Sequence, residues 1–217
     1  MNVHNIGKNN SVFNQFIAEL RSVEIQNDSM RFRRNLERIG EIMAYEISKK
    51  LNFNEVEITT PLGHLQIPLI EKQPILATIL RAGLPMHQGL LNYFDKADNA
   101  FISAYRKHHK DGTFDIELEY MASPDITDRT IILSDPMLAT GASMVLTYKA
   151  LLRKGKPLHT HIVTAISSTQ GIEYCKKHLP NNSVTIWTGA IDDELTSKAY
   201  IVPGLGDAGD LAFGNKE

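Results

Sequence analysis

The sequence predicts an α/β fold with a mostly parallel central sheet flanked by helices, and three observations predict it. PILATIL and TIIL are continuous apolar runs, too short for buried helices and suited to strands covered on both faces. Such runs alternate along the chain with stretches whose apolar residues recur at helical spacing, as in a layered α/β domain. Turns rich in glycine and polar residues follow several of the strands, and sheets of this kind collect ligands at their carboxyl edge.

The elements follow in order. Val12, Phe13, Phe16, Ile17 and Leu20 have helical spacing. Phe32, Leu36, Ile39, Met43 and Ile47 predict a long amphipathic helix from about Asp28 to Leu51, with Asn27, Asp28 and Ser29 available to cap it. Residues 1–51 therefore read as an N-terminal helical arm that could pack on a partner subunit. EVEITT and HLQIPLI flank Pro61 to Gly63 as a β-hairpin, and PILATIL leads into a helix from Leu84 to Phe94. AFISAY, TFDIELEYM and TIIL read as strands before a helix over roughly Ala142 to Arg153. HTHIVTAI and SVTIWT are strands around a helix from Gln170 to His178. With no internal repeat or convincing linker, 1–217 is expected to be one domain, with 52–217 as the α/β core.

Composition bounds the function. Hydrophobic residues make up 42% of the 217 and charged residues 22%, an ordinary globular balance. A formal charge of -2 gives no overall basic field to recommend nucleic acid as a partner. The one cysteine, Cys175, excludes an intrachain disulfide and fits a reducing compartment. Neither a secretory signal nor a membrane span is evident, so a cytoplasmic location is expected.

Four segments carry candidate chemistry. In TIILSDPMLATGAS a strand meets Asp135, and Ala139-Thr140-Gly141-Ala142-Ser143 then opens a helix, where converging N–H groups and the helix dipole suit a phosphate. The lysine and spacing of a nucleotide-triphosphate P-loop are absent. An ordinary turn capped by Thr140 or Ser143 fits the same residues equally well. After PILATIL, Arg81-Ala82-Gly83 precedes Pro85, which suits a first helical turn. A guanidinium there offers a permanent charge and a fork of donors to phosphate oxygens, though a lone arginine is more often a surface ion pair. AFISAYRKHHKDG adds Tyr105, Arg106 and Lys107 at another strand end. The adjacent His108 and His109 read as solvated, and His159 and His161 share a strand face as packing or surface residues, not ligands. YIVPGLGDAGDLAFG combines Gly204, Gly206 and Gly209 with Asp207 and Asp210, which would let the backbone approach a flat ligand.

In this order, ILRAG, YR, DPMLATG and YIVPGLGDAG resemble the uracil phosphoribosyltransferase family, within the type I phosphoribosyltransferases. LRSVEIQNDSMRFRRNLERIGEIMAYE and VEITTPLG extend the resemblance over nearly the whole chain. It implies conversion of uracil and 5-phosphoribosyl 1-diphosphate to UMP and diphosphate, with Mg2+ held mainly through the substrate.

It also implies roles by position. Arg81 and Arg106 would hold the diphosphate, Asp135 the ribose hydroxyls, and Ala139 to Ser143 the 5-phosphate. Pro136, Met137 and Leu138 would join the phosphoribosyl diphosphate site, and Pro136 is itself expected in the uracil branch. Ile201, Gly206, Asp207 and Ala208 would form the uracil site, with backbone groups of Ile201, Gly206 and Ala208 reading the base, while Asp207 also meets the phosphoribosyl substrate directly or through magnesium or water. Arg106, Asp135 and Asp207 are the expected catalytic residues. A homodimer or higher homo-oligomer and a GTP effector belong to the same expectation. Ala142, where a glycine is often found, and Gln88, where an acid is common, depart from the pattern. Ala142 would hinder the loop if that position required positive φ. The competing readings are a ligand-sensing regulator on the same fold and a transferase for another nucleobase.

Overall fold

The computed structural model describes residues 1–108 and 114–215, with side chains described outside 104–118. The first half of the chain runs β1 (Asn2–Asn5), α1 (Val12–Arg21), α2 (Ser29–Ser48), β2 (Phe53–Thr60), β3 (Gly63–Ile70), β4 (Ile75–Leu80), α3 (Leu84–Leu91), β5 (Asp98–His108) and β6 (Phe114–Ala122). The second half adds β7 (Thr130–Ser134), β8 (Met137–Leu138), α4 (Ala142–Leu151), β9 (His159–Ser168), α5 (Thr169–His178), β10 (Val184–Asp192), β11 (Glu194–Leu195), β12 (Ile201–Val202) and α6 (Ala208–Phe213).

The main sheet has the order β1-β10-β9-β7-β4-β5-β6, with β8 alongside β9. Its pairings are parallel except for β5 with β6. Strand alternation divides the apolar residues between two faces, since successive side chains point opposite ways. Leu76, Ile132, Val163 and Trp187 meet Phe13, Ile17, Leu36, Ile39, Met43, Met86 and Leu90 on one face. On the other, Ala77, Ile79, Leu133 and Ile162 meet Met144, Tyr148, Leu151 and Ile172. Sequential strands cross over through these helices, so the turns after β4, β5 and β7 gather at one edge.

The N-terminal segment differs from the expected arm in two ways. Asn2–Asn5 is a strand, pairing with Thr185 to Thr188 at the sheet edge. Helices α1 and α2 do not project: Phe32, Leu36, Ile39, Met43 and Ile47 are fully buried in the first core. The apolar stripe that predicted α2 is the surface that seats it on the sheet. Asp28 caps this helix, its Oδ1 accepting from Arg31 N at 3.0 Å, and Ser11 caps α1 by accepting from Phe13 N at 3.3 Å. Glu19 then fastens the two helices together, accepting from Arg31 at 2.9 Å and from Asn35 Nδ2 at 2.7 Å. The β2–β3 hairpin stands outside the main sheet as its own two-stranded unit.

Candidate active site

The loop after β7 is built as a continuation of the sheet. Asp135 N donates to Val163 O, and Ala165 N and Ile166 N both donate to Pro136 O, each at 3.0 Å. Met137 and Leu138 pair with Ile166 and Ser167 of β9. Leu138 is 1% exposed and lies in the second core, so at Leu138 the backbone, not the side chain, is what a ligand could meet. Asp135 is half-buried, and its Oδ1 lies 3.4 Å from the Met137 N–H that donates to it.

Beyond Leu138 the chain turns into α4. Ser168 Oγ donates to Ala139 O and accepts from Gly171 N at 2.8 Å, so the start of α5 braces the loop from below. Thr140 Oγ1 accepts from Ala142 N at 3.3 Å, but the residue at the cap position of α4 is Gly141, so neither Thr140 nor Ser143 is the helix cap. The left-handed residue is Gly141, with φ of 79°, and Ala142 is the first residue of the helix. The positive φ that threatened Ala142 thus falls one residue earlier, on a glycine, and a methyl group at 142 is compatible with the turn. The first turn of α4 leaves backbone N–H groups without intrahelical acceptors, directed off the helix start as an anion site requires.

Arg81 follows β4 directly, through a cis Leu80–Arg81 peptide. Its Nη2 donates to Asp210 Oδ1 and to Gly214 O, both at 3.2 Å. This contact joins segments 129 residues apart, where the C-terminal segment lies beside the carboxyl edge of β4. Arg106 stands on β5 opposite Ile116 of β6. Its side chain, like those of Tyr105, Lys107 and His108, lies outside the described residues, as does His109. Gln88 is exposed on α3 and donates to Asn92 Oδ1 at 2.9 Å.

The C-terminal segment leaves β10 through the small β11–β12 ribbon and turns at Gly204 and Gly206, with φ of 56° and 91°. Ile201, Leu205 and Ala208 are each 3% exposed and belong to the first core, so their backbone is held by side chains anchored beneath. Asp207 caps α6, its Oδ1 accepting from Gly209 N at 2.9 Å and Asp210 N at 3.0 Å. The sequence reading missed α6, although an aspartate three residues before a second aspartate and ahead of Leu211, Ala212 and Phe213 is a helix-start signal. It also missed Arg33, whose Nη1 donates to Ala212 O at 2.6 Å and which lies over the Phe213 ring. A cleft of about 330 Å3 beside α6 is lined by Asn27, Ser29, Asp207, Asp210, Leu211 and Asn215.

His159 and His161 sit at the opposite, amino edge of the sheet, their ring centres 4.6 Å apart on one face as expected. His161 Nδ1 accepts from Trp187 Nε1 at 3.0 Å, and burial pushes its pKa down to about 3. Among the described residues no group of three or more His, Cys, Asp or Glu side chains could hold a metal ion, and no helix is long and apolar enough to cross a membrane.

The mostly parallel sheet, covered by helices on both faces, has the type I phosphoribosyltransferase fold. A hypoxanthine phosphoribosyltransferase from Staphylococcus aureus shares that fold, with a TM-score of 0.51 at 14% identity over 86% of this chain and 83% of that one. The AQ2163 protein from Aquifex aeolicus superposes with a TM-score of 0.86 at 26% identity, covering 98% of both chains. The family model for uracil phosphoribosyltransferase matches residues 8–215. Uracil phosphoribosyltransferases from Porphyromonas gingivalis and Methanococcus maripaludis are 56% and 39% identical to this chain, covering 100% and 91% of it and 100% and 84% of their own lengths. The chain belongs to the uracil phosphoribosyltransferase family.

Proposed function

We propose that this protein transfers the phosphoribosyl group of 5-phosphoribosyl 1-diphosphate to uracil, giving UMP and diphosphate. Beyond family membership, the observation that carries this reading is the Arg81–Asp210 contact, because it unites the arginine suited to diphosphate with the glycine-rich segment suited to a base. Both then face the strand edge that also carries the loop after Asp135.

In this reading, the backbone of Ala139 to Ser143 grips the 5-phosphate and Asp135 meets the ribose hydroxyls. Arg81 and Arg106 stabilise the departing diphosphate. As the anomeric C–O bond breaks, the ribose gains oxocarbenium character and the leaving group gains negative charge, so cations at the leaving group lower the barrier. Backbone groups of Ile201, Gly206 and Ala208 hold uracil with its ring nitrogen in line for attack, which needs no covalent protein nucleophile. Asp207 spends one carboxylate oxygen on capping α6, and its other oxygen would meet the phosphoribosyl substrate directly or through water or Mg2+, the metal being held mainly through the substrate. When bound, Mg2+ would neutralise charge on the diphosphate.

A homodimer or higher homo-oligomer is part of the same proposal, supported by the β2–β3 hairpin, which exposes Phe53, Val56, Leu62, Leu65 and Leu69 outside the main sheet. We extend the proposal to GTP as an effector and to a cytoplasmic location. Light scattering with and without GTP tests the assembly and its response. The activity itself is tested by following diphosphate release from purified protein, phosphoribosyl diphosphate and Mg2+ with a panel of bases. Release with uracil is expected, and its absence would overturn the proposal.

A further inference from the structure

Arg81 is occupied in a way that bears on how it could take a substrate. A guanidinium offers two forks of parallel N–H donors, Nε with Nη2 and Nη1 with Nη2, and it is such a fork that grips phosphate oxygens. Both forks include Nη2. Here Nη2 donates to Asp210 Oδ1 and to Gly214 O, so both of its hydrogens are engaged and neither fork is open to an anion. The ion pair is only partly buried, with the Arg81 side chain 39% and the Asp210 side chain 33% exposed, so it can be exchanged at small cost.

Building on the proposed diphosphate role of Arg81, we propose that Asp210 is a positioning residue that holds Arg81 in the free enzyme and hands it to the diphosphate when that substrate binds. The hand-over leaves the base segment in place. Asp210 touches Asp207 only through its backbone N–H, which stays on Asp207 Oδ1 whichever way the Asp210 carboxylate turns. Rotation of one side chain therefore frees one of the two guanidinium forks, the other Nη2 hydrogen staying on Gly214 O, without uncapping α6. The Asp210 carboxylate competes with the first anion to arrive, and it has no further influence once the diphosphate is bound.

This predicts an unusual split. In Asp210→Asn, phosphoribosyl diphosphate with Mg2+ should bind the free enzyme more tightly in calorimetric titration, by up to about fivefold, the scale of one partly solvated ion pair. At saturating phosphoribosyl diphosphate, kcat and the KM for uracil should match wild type, and Asp210→Glu should restore the weaker binding. A residue that merely supported α6 would instead raise the KM for uracil in Asp210→Asn, and unchanged or weaker phosphoribosyl diphosphate binding in that variant overturns the hand-over. Arg81→Ala separates the hand-over from the diphosphate role itself: its affinity for phosphoribosyl diphosphate should fall, and if it does not, the diphosphate role of Arg81 is what fails. Adding Asp210→Asn to Arg81→Ala should change nothing further, and an added gain in affinity would refute the coupling.

Discussion

Gly204 donates its N–H to Asp192 Oδ2 at 2.9 Å, and Arg21 grips the same carboxylate through both oxygens at 3.0 and 3.1 Å. One aspartate at the end of β10 thereby ties α1 to the turn that begins the base segment. Asp192→Ala removes both partners at once and leaves a buried N–H without an acceptor. It should cost about 1–3 kcal/mol of stability and raise the KM for uracil more than that for phosphoribosyl diphosphate. Chemical denaturation and steady-state kinetics check the two halves, and equal rises in both KM values would contradict the placement.

Gly141→Ala tests the anion loop. The left-handed φ of 79° costs a side-chain-bearing residue about 1–2 kcal/mol. An added Cβ would also lie 2.8 Å from Gly171 O and 3.2 Å from Tyr174. Affinity for phosphoribosyl diphosphate should fall about tenfold or more on that energy scale. Ala142→Gly, one residue on and inside the helix, should leave affinity nearly unchanged. Titration of both variants with phosphoribosyl diphosphate distinguishes them, and equal behaviour would be inconsistent with a left-handed 141.

Asp207→Asn separates charge from architecture. Asparagine caps a helix about as well as aspartate, so α6 should persist with a loss of no more than a few tenths of a kcal/mol. The lost negative charge should nevertheless lower kcat/KM about a hundredfold or more, the scale of removing one oriented electrostatic contact at a reacting centre. Arg106→Ala should behave in the same direction, whereas His108→Ala should change little. Circular dichroism establishes folding, and near wild-type rates in the first two variants would remove them from the proposed machinery.

Acid stability depends on Glu19. Hydrogen bonds from Arg31 and then Asn35 lower its pKa from 4.5 to about 2 in the folded chain. Because the folded value lies below the unfolded one, its stabilising contribution is complete above about pH 4.5 and is lost as pH falls toward 2. Denaturation midpoints measured from pH 6 downward should decline across that window. Glu19→Gln should start lower and decline less, and parallel slopes would count against this pair.

Much of the fold was legible because its signals are local. Strands such as PILATIL and helices such as α2 declare themselves through the period of their apolar residues, and the hairpin through the turn at Pro61 to Gly63. The order of the four motif segments was equally plain, and with it the family. Short elements escaped: β1, β8, β11 and β12 have two to four residues each, too few for a period to show. Their existence depends on a neighbouring strand with unpaired backbone groups, as when Asn2–Asn5 finds the edge of β10.

The α/β class, the family and the residues from which a site could be assembled were readable from the chain alone, since composition, period and motif spacing are properties of the chain. Packing in three dimensions was needed to show that α1 and α2 form a layer of the core and that positive φ falls on Gly141 instead of Ala142. The engagement of Arg81 by Asp210 was likewise a tertiary matter. A hydrogen bond between residues 129 positions apart depends on where the sheet brings their backbones, and no local pattern encodes that distance.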